Sequence, residues 1–244
     1  MFELIIFLME GLSGRYHKRS GFGLDRQICT TLCYPNPMAK LIIETTKEIH
    51  NARIGGTPTV LIRTGWPKCA QCSSSMQFLA QIPLMECDIP ELKGRQQSLL
   101  LFQCQHDPGS CDEWDADSGG NAAILTESSP PNAVKAPSGE TTLPSESKIL
   151  FEPYDDSVSG ETPDENYCRA FDATSSKVLG KLGGQPLWIQ GEETPSCSCG
   201  QLMVFVAQIE SRGGGGINFG DAGAGYAFVC TRCPAAAKFL WQCG

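Results

Sequence analysis

An α+β protein is predicted, built from two pseudo-repeated halves of antiparallel sheet with few helices, each half stapled by a four-cysteine zinc knuckle. Three observations on this chain of 244 residues lead there. One order of features occurs twice: a Gly-Gly turn, a cysteine pair, an apolar segment ending in Ala-Gln-Ile, a second apolar segment, and more cysteines. The apolar segments are short, rich in Met, Phe, Val and Ile, and bounded by turn residues, which favours strands over helices. Cysteine is frequent, 13 residues, and several stand in close pairs, a spacing that suits a metal better than long-range bridges.

The first 37 residues fit poorly with the rest of the chain. They hold a basic patch and an unpartnered Cys29-x3-Cys33, and read as an N-terminal extension, with Met38 a candidate native start. The first repeat half spans 38–125. It runs through Ile54-Gly55-Gly56-Thr57-Pro58, Cys69-Ala70-Gln71-Cys72, Phe78-Leu79-Ala80-Gln81-Ile82 and Leu99-Leu100-Leu101-Phe102-Gln103-Cys104. Residues 126–165 form an acidic connection, and the Pro-, Ser-, Thr- and Glu-rich stretch 126–148 predicts irregular surface structure that adds little to the core. The second half spans 166–244 and repeats the order with Leu182-Gly183-Gly184-Gln185-Pro186, Cys197-Ser198-Cys199-Gly200, Phe205-Val206-Ala207-Gln208-Ile209 and Tyr226-Ala227-Phe228-Val229-Cys230. Helical spacing of apolar residues predicts short helices at 39–51 and 170–179.

Zinc needs soft, deprotonated ligands in a tetrahedron, and two thiolates a few residues apart on a tight turn reach one ion without strain. Cys197, Cys199, Cys230 and Cys233 supply one such set, with Gly200 permitting the left-handed turn. Cys69, Cys72, Cys104 and Cys111 supply the other; His106 or Cys87 is an alternative to one of its members. Two structural Zn2+ ions are the cofactors this predicts. Closed four-thiolate sites leave no open position for water, so they hold hairpins together rather than catalyse. The remaining cysteines, Cys29, Cys33, Cys87, Cys168 and Cys243, read as small buried hydrophobes.

The formal charge of −8 argues against a nucleic-acid binder. Residues 105–165 hold 14 acidic side chains against Lys135 and Lys148, a local −12 that leaves the rest of the chain at +4. Within it, Asp112, Glu113, Asp115 and Asp117 form a candidate partner-binding loop; they lack the glycine and closing glutamate of a calcium loop. The glycine run 213–216 lacks the Lys-Ser/Thr of a phosphate cradle and reads as a hairpin loop. His17, His50 and His106 have no catalytic spacing to a nucleophile or carboxylate. Trp114 and Trp188 read as packing residues. No active site is evident, and a non-enzymatic protein is expected. The apolar start is too short to span a bilayer and lacks the flanks of a secretory signal, so a cytoplasmic location with reduced thiols is expected.

The repeated Gly-Gly-x-Pro and Ala-Gln-Ile elements, with Leu187-Trp188, Asn218-Phe219-Gly220-Asp221 and the terminal Trp241-Gln242-Cys243-Gly244, resemble the YwqG-like family of bacterial domains, in particular its cysteine-bearing branch, over about 39–244. A more distant similarity is to the eukaryotic programmed-cell-death-2 proteins. The family resemblance implies two related halves of antiparallel sheet in one unit. It also implies a cytosolic immunity protein that neutralises a cognate toxin of the type VI or polymorphic kind, for which a basic, nuclease-type domain suits the acidic segment. The eukaryotic similarity implies the alternative, a chaperone-like binder of a basic ribosomal protein. The chain departs from the family pattern in its first 37 residues and in its long acidic connection, so neither region inherits a role from the resemblance.

Overall fold

Each apolar run bounded by turn residues becomes a strand, and ten strands form among the described residues: β1 (Ala39–Thr45), β2 (Arg53–Gly55), β3 (Gln77–Pro83), β4 (Gln97–Gln103), β5 (Asn121–Glu127), β6 (Glu146–Tyr154), β7 (Val178–Leu182), β8 (Val204–Glu210), β9 (Ala224–Val229) and β10 (Ala237–Gln242). One α-helix forms among the described residues, α1 (Pro163–Ala173), between β6 and β7. This computed structural model describes residues 39–60, 64–127, 135–174 and 177–244. The N-terminal extension, with Cys29, Cys33 and His17, lies outside the described residues.

All strands join one antiparallel sheet in the order β10-β9-β8-β7-β1-β6-β2-β3-β4-β5, which curls until β5 lies beside β10 and the barrel is nearly closed. The duplication read from the sequence is plain in three dimensions, because β2–β5 correspond to β7–β10. Both β3/β4 and β8/β9 carry the same bulge: the register shifts between Phe78 and Ala80 in one and between Phe205 and Ala207 in the other. Both Gly-Gly turns use left-handed backbone, with φ 76° and 68° at Gly55 and Gly56 and 69° at Gly183 and Gly184, a conformation glycine adopts without steric cost.

The Ala-Gln-Ile motif has a structural cause. Gln81 and Gln208 are buried, and the Oε1 of each accepts from the same turn of its own half: from the Thr59 N–H at 2.9 Å and from the Leu187 N–H at 3.0 Å. A buried backbone N–H left without such a partner is costly, so the glutamine and the Gly-Gly-x-Pro turn recur together.

The leading strand of each half crosses over. β1 precedes β2 but pairs with β6 and β7, while β6 leads into the second half but pairs with β1 and β2. Each half therefore borrows a strand, and the swapped pair β1/β6 lies at the centre of the sheet. Inside the barrel the core is continuous across both halves, from Ile54, Leu79 and Leu101 to Val206, Val229 and Phe239. Outside, one apolar cluster underlies each cysteine group and a third seats α1 through Tyr167.

Three expectations are corrected. Residues 39–51 hold β1 and a turn instead of a helix. The run Leu41-Ile42-Ile43 mimics helical spacing because a strand between two neighbours at the sheet centre is apolar on both faces. The second-half helix starts earlier than 170–179. Thr162 caps it reciprocally with Glu165, Pro163 opens it, and residues from Val178 onward are β7. The acidic connection is not irregular throughout, since β6 runs through it and buries Ile149.

Candidate metal centres

Each half ends its hairpins in two facing cysteine turns. In the first, Lys68 bridges Ser75, the Cys69 N–H donates to Ser74 O at 2.9 Å, and the Met76 N–H donates to Pro67 O at 3.0 Å. In the second, Ser196 bridges Leu202, the Cys197 N–H donates to Gln201 O at 2.8 Å, and the Met203 N–H donates to Pro195 O at 3.0 Å. The turns match residue for residue outside the pair, so the tighter Cys197-x-Cys199 spacing is a one-residue deletion between the two sulfurs. In both, the residue after the second cysteine is left-handed: Ser73 at φ 63° and Gly200 at φ 81°. The facing turns come from the ends of β4 and β9. Cys104 N–H donates to Gly120 O at 2.8 Å and Cys230 N–H to Ala236 O at 2.9 Å, while the Cys233 N–H points at Cys230 Sγ, 3.3 Å away.

This brings together both predicted sets. The sulfurs of Cys69, Cys72, Cys104 and Cys111 all lie within 4.8 Å of one another, as do those of Cys197, Cys199, Cys230 and Cys233. Cys72 and Cys104 Sγ are 3.6 Å apart, Cys199 and Cys230 Sγ 3.8 Å. Tetrahedral thiolates bound at about 2.3 Å stand about 3.8 Å from each other, so both groups have the spacing to hold a metal ion. Cys111 completes the first set. His106 is exposed, and Cys87 sits in the barrel core, where burial pushes its thiol up to about 12.

The electrostatics of the bare sulfurs favour a cation. Ser74 donates hydrogen bonds that draw Cys72 down to about 6, and the Cys199 N–H does the same for Cys197. Burial pushes Cys104 up to about 11 and also raises Cys111, while hydrogen bonds shared with Cys199 and Cys197 raise Cys233 to about 12. Four crowded thiols cannot all ionise without positive charge among them, and a divalent cation supplies it.

The acidic loop between Cys104 and Gly120 is more ordered than its composition suggests. Glu113 is buried, 1% exposed, and its carboxylate accepts the N–H groups of Gly109 and Cys111. It therefore organises the backbone at Cys111 and is withdrawn from the surface, which corrects its expected place among the partner-binding carboxylates. Asn121 Nδ2 ties the same loop down through Glu113 O at 2.8 Å and Asp115 O at 2.9 Å. Asp112, Asp115 and Asp117 are exposed, and Asp117 pairs with Lys238 at 2.5 Å. Both tryptophans pack as expected, Trp188 on Tyr226 and Phe228 and Trp114 on Trp241 of the other half, although Trp114 stays 41% exposed. Cys168 is exposed on α1 instead of buried. Ser74 and Asn121 were not legible as site residues, and Glu113 was legible only in another role, because each acts through a backbone neighbour that only the folded turn reveals.

Fold and site together define a duplicated, nearly closed β-barrel carrying one four-cysteine group per half. A family model described as "Domain of unknown function (DUF1963)" matches residues 52–240. The chain belongs to this family, which includes the YwqG-like proteins. It is also similar to "Uncharacterized protein YpfL" of Salmonella typhimurium, 32% identical over 66 residues, 27% of this chain. The match spans only 15% of that relative's length. Among the described residues, no helix is long and apolar enough to cross a membrane.

Proposed function

We propose that this protein is a zinc-stapled binding module, not an enzyme, and that it acts in the cytoplasm as an immunity protein against a secreted toxin of the type VI or polymorphic kind. Zinc suits a reduced four-thiolate set, and a closed site of this kind has a structural role. The observation that carries the reading is the first knuckle's loop: Glu113 fastens it from inside while Asp112, Trp114 and Asp115 face outward. An acidic surface on a fixed backbone steers a basic partner, and a rigid, exposed tryptophan is the side chain that most often anchors an interface. Leu202, 54% exposed, adds an apolar tip on the second knuckle. A basic toxin domain covered by this surface would lose access to its substrate.

The test uses Asp112→Asn with Asp115→Asn, which keeps the turn-capping oxygen, and separately Trp114→Ala. The first should slow association with the toxin about tenfold and flatten its salt dependence; the second should weaken binding by ~2 kcal/mol or more. Unchanged affinity and protection in both would remove this surface from the function. The same acidity suits a basic ribosomal protein, so recovery of a ribosomal protein by pull-down from cells lacking the toxin would replace immunity with a chaperone role.

A further inference from the structure

The strand ladder runs from β10 round to β5 and ends there. Beside the apolar core, the hydrogen bonds and ion pair that span the remaining gap involve the cysteine turns. From the first half, Arg95 Nη2 donates to Cys230 O at 3.2 Å and Thr231 O at 2.9 Å, and Gln97 Nε2 donates to Pro234 O at 3.1 Å. These three carbonyls lie on the turn that carries Cys230 and Cys233. In the other direction, the loop between Cys104 and Gly120 reaches across to β10. Trp114 O accepts the Trp241 N–H at 3.2 Å, the two indoles meet edge to face at 6.3 Å, and Asp117 holds Lys238. Ala116 of that loop also packs on the apolar cluster beneath the second cysteine group. Each knuckle therefore presents to the opposite half groups whose positions depend on its own sulfurs being gathered.

We infer that the two four-cysteine centres are clasps across the β5/β10 seam: a bound metal holds the barrel shut, and its loss from either centre frees the seam as well as the local hairpin. The inference rests on the metal-binding reading of the two cysteine groups. It adds a regulation of those sites, since a chelator that removes the ion, or hydrogen peroxide that takes two electrons from a pair of thiolates and two protons from solvent to leave a disulfide, two waters and the freed ion, would open the surface on which Trp114 lies. All of these zinc-dependent contacts cross between halves, so the effect must appear away from the site that is emptied.

Hydrogen exchange on the full chain, with zinc content measured in parallel, tests this. Cys199→Ser removes the most exposed ligand of the second site and should lower zinc from two to one per chain. Exchange should then rise at least tenfold at the Trp241 N–H and in the 112–118 loop of the other knuckle, with Leu100 and Leu101 in β4 unchanged. Arg95→Met should leave two zinc ions bound and still raise exchange in the 230–236 turn and β10. Exchange changes confined to 195–204 and 230–236 in Cys199→Ser, or none in Arg95→Met, would overturn the clasp while leaving the metal sites standing. A wild-type chain that binds no zinc when refolded with the metal would instead defeat the metal-binding reading itself.

Discussion

Replacing the buried glutamine of each half by leucine should reveal how much the repeated Ala-Gln-Ile motif contributes, and the two halves should differ. Gln81 makes three hydrogen bonds: it accepts the Thr59 N–H at 2.9 Å and donates to Asn51 O and Thr59 Oγ1, each at 3.0 Å. Gln208 accepts the Leu187 N–H at 3.0 Å. Removing a buried partner costs about 1 kcal/mol per net hydrogen bond and up to ~3 kcal/mol where the remaining group is cut off from water. Leucine fills the space and returns part of that through apolar burial. Gln81→Leu should therefore destabilise by about 3 kcal/mol and Gln208→Leu by about 1.5 kcal/mol. Urea unfolding of the zinc-loaded chain would show this as a lower midpoint at unchanged slope, larger for Gln81. Equal losses, or a larger loss for Gln208, would refute the assignment of the motif to turn-fastening.

Two more outcomes are fixed by the geometry. A Cβ at Gly120 would collide with Cys111 O and the Glu113 backbone, so Gly120→Ala should lower bound zinc from two to one per chain by elemental analysis, with the second site still loaded. Lys181 is fully buried, donates to Gln185 O at 2.7 Å, and burial draws its ammonium down to about 8 from the ordinary 10.5. The unfolded chain thus binds this proton more tightly than the folded one between pH 8 and 10.5, and stability linked to Lys181 must rise with pH over that window. Relative to Lys181→Met, the wild type should gain up to about 3 kcal/mol from pH 8 to 10.5; a constant difference would show that the ammonium keeps its solution affinity.

The two four-cysteine groups were legible because a paired-cysteine turn is local: Cys69 with Cys72 and Cys197 with Cys199 need only a few residues to converge, and duplication located their partners. The halves were legible for the same reason, since bulge, glutamine and Gly-Gly turn are all set within a hairpin. The leading strands were not. β1 and β6 share no motif, as each meets different neighbours and a strand in mid-sheet is constrained mainly to be apolar. A central strand buried on both faces therefore resembles a helix. Glu113 carries the same charge as Asp112 and Asp115, and only the path of the loop decides that one carboxylate turns inward to bind N–H groups while the others face water.

Strand exchange bears directly on how the two knuckles sit against each other. Since β1 completes the second half and β6 the first, neither half retains a full sheet alone, and the continuous barrel core makes their separation cost the burial of both. Two hairpin units joined only by a flexible connection would present their knuckles at variable spacing. Here the central β1/β6 pair and the cross-seam contacts of Arg95, Gln97, Trp114 and Lys238 fix one knuckle against the other. Trp114 of the first half is thus positioned by Trp241 of the second, and the exposed surface is a composite of both repeats. If the surface binds a partner as proposed, it would lose little entropy in doing so, and that would be the physical advantage of duplicating a cysteine knuckle over using one.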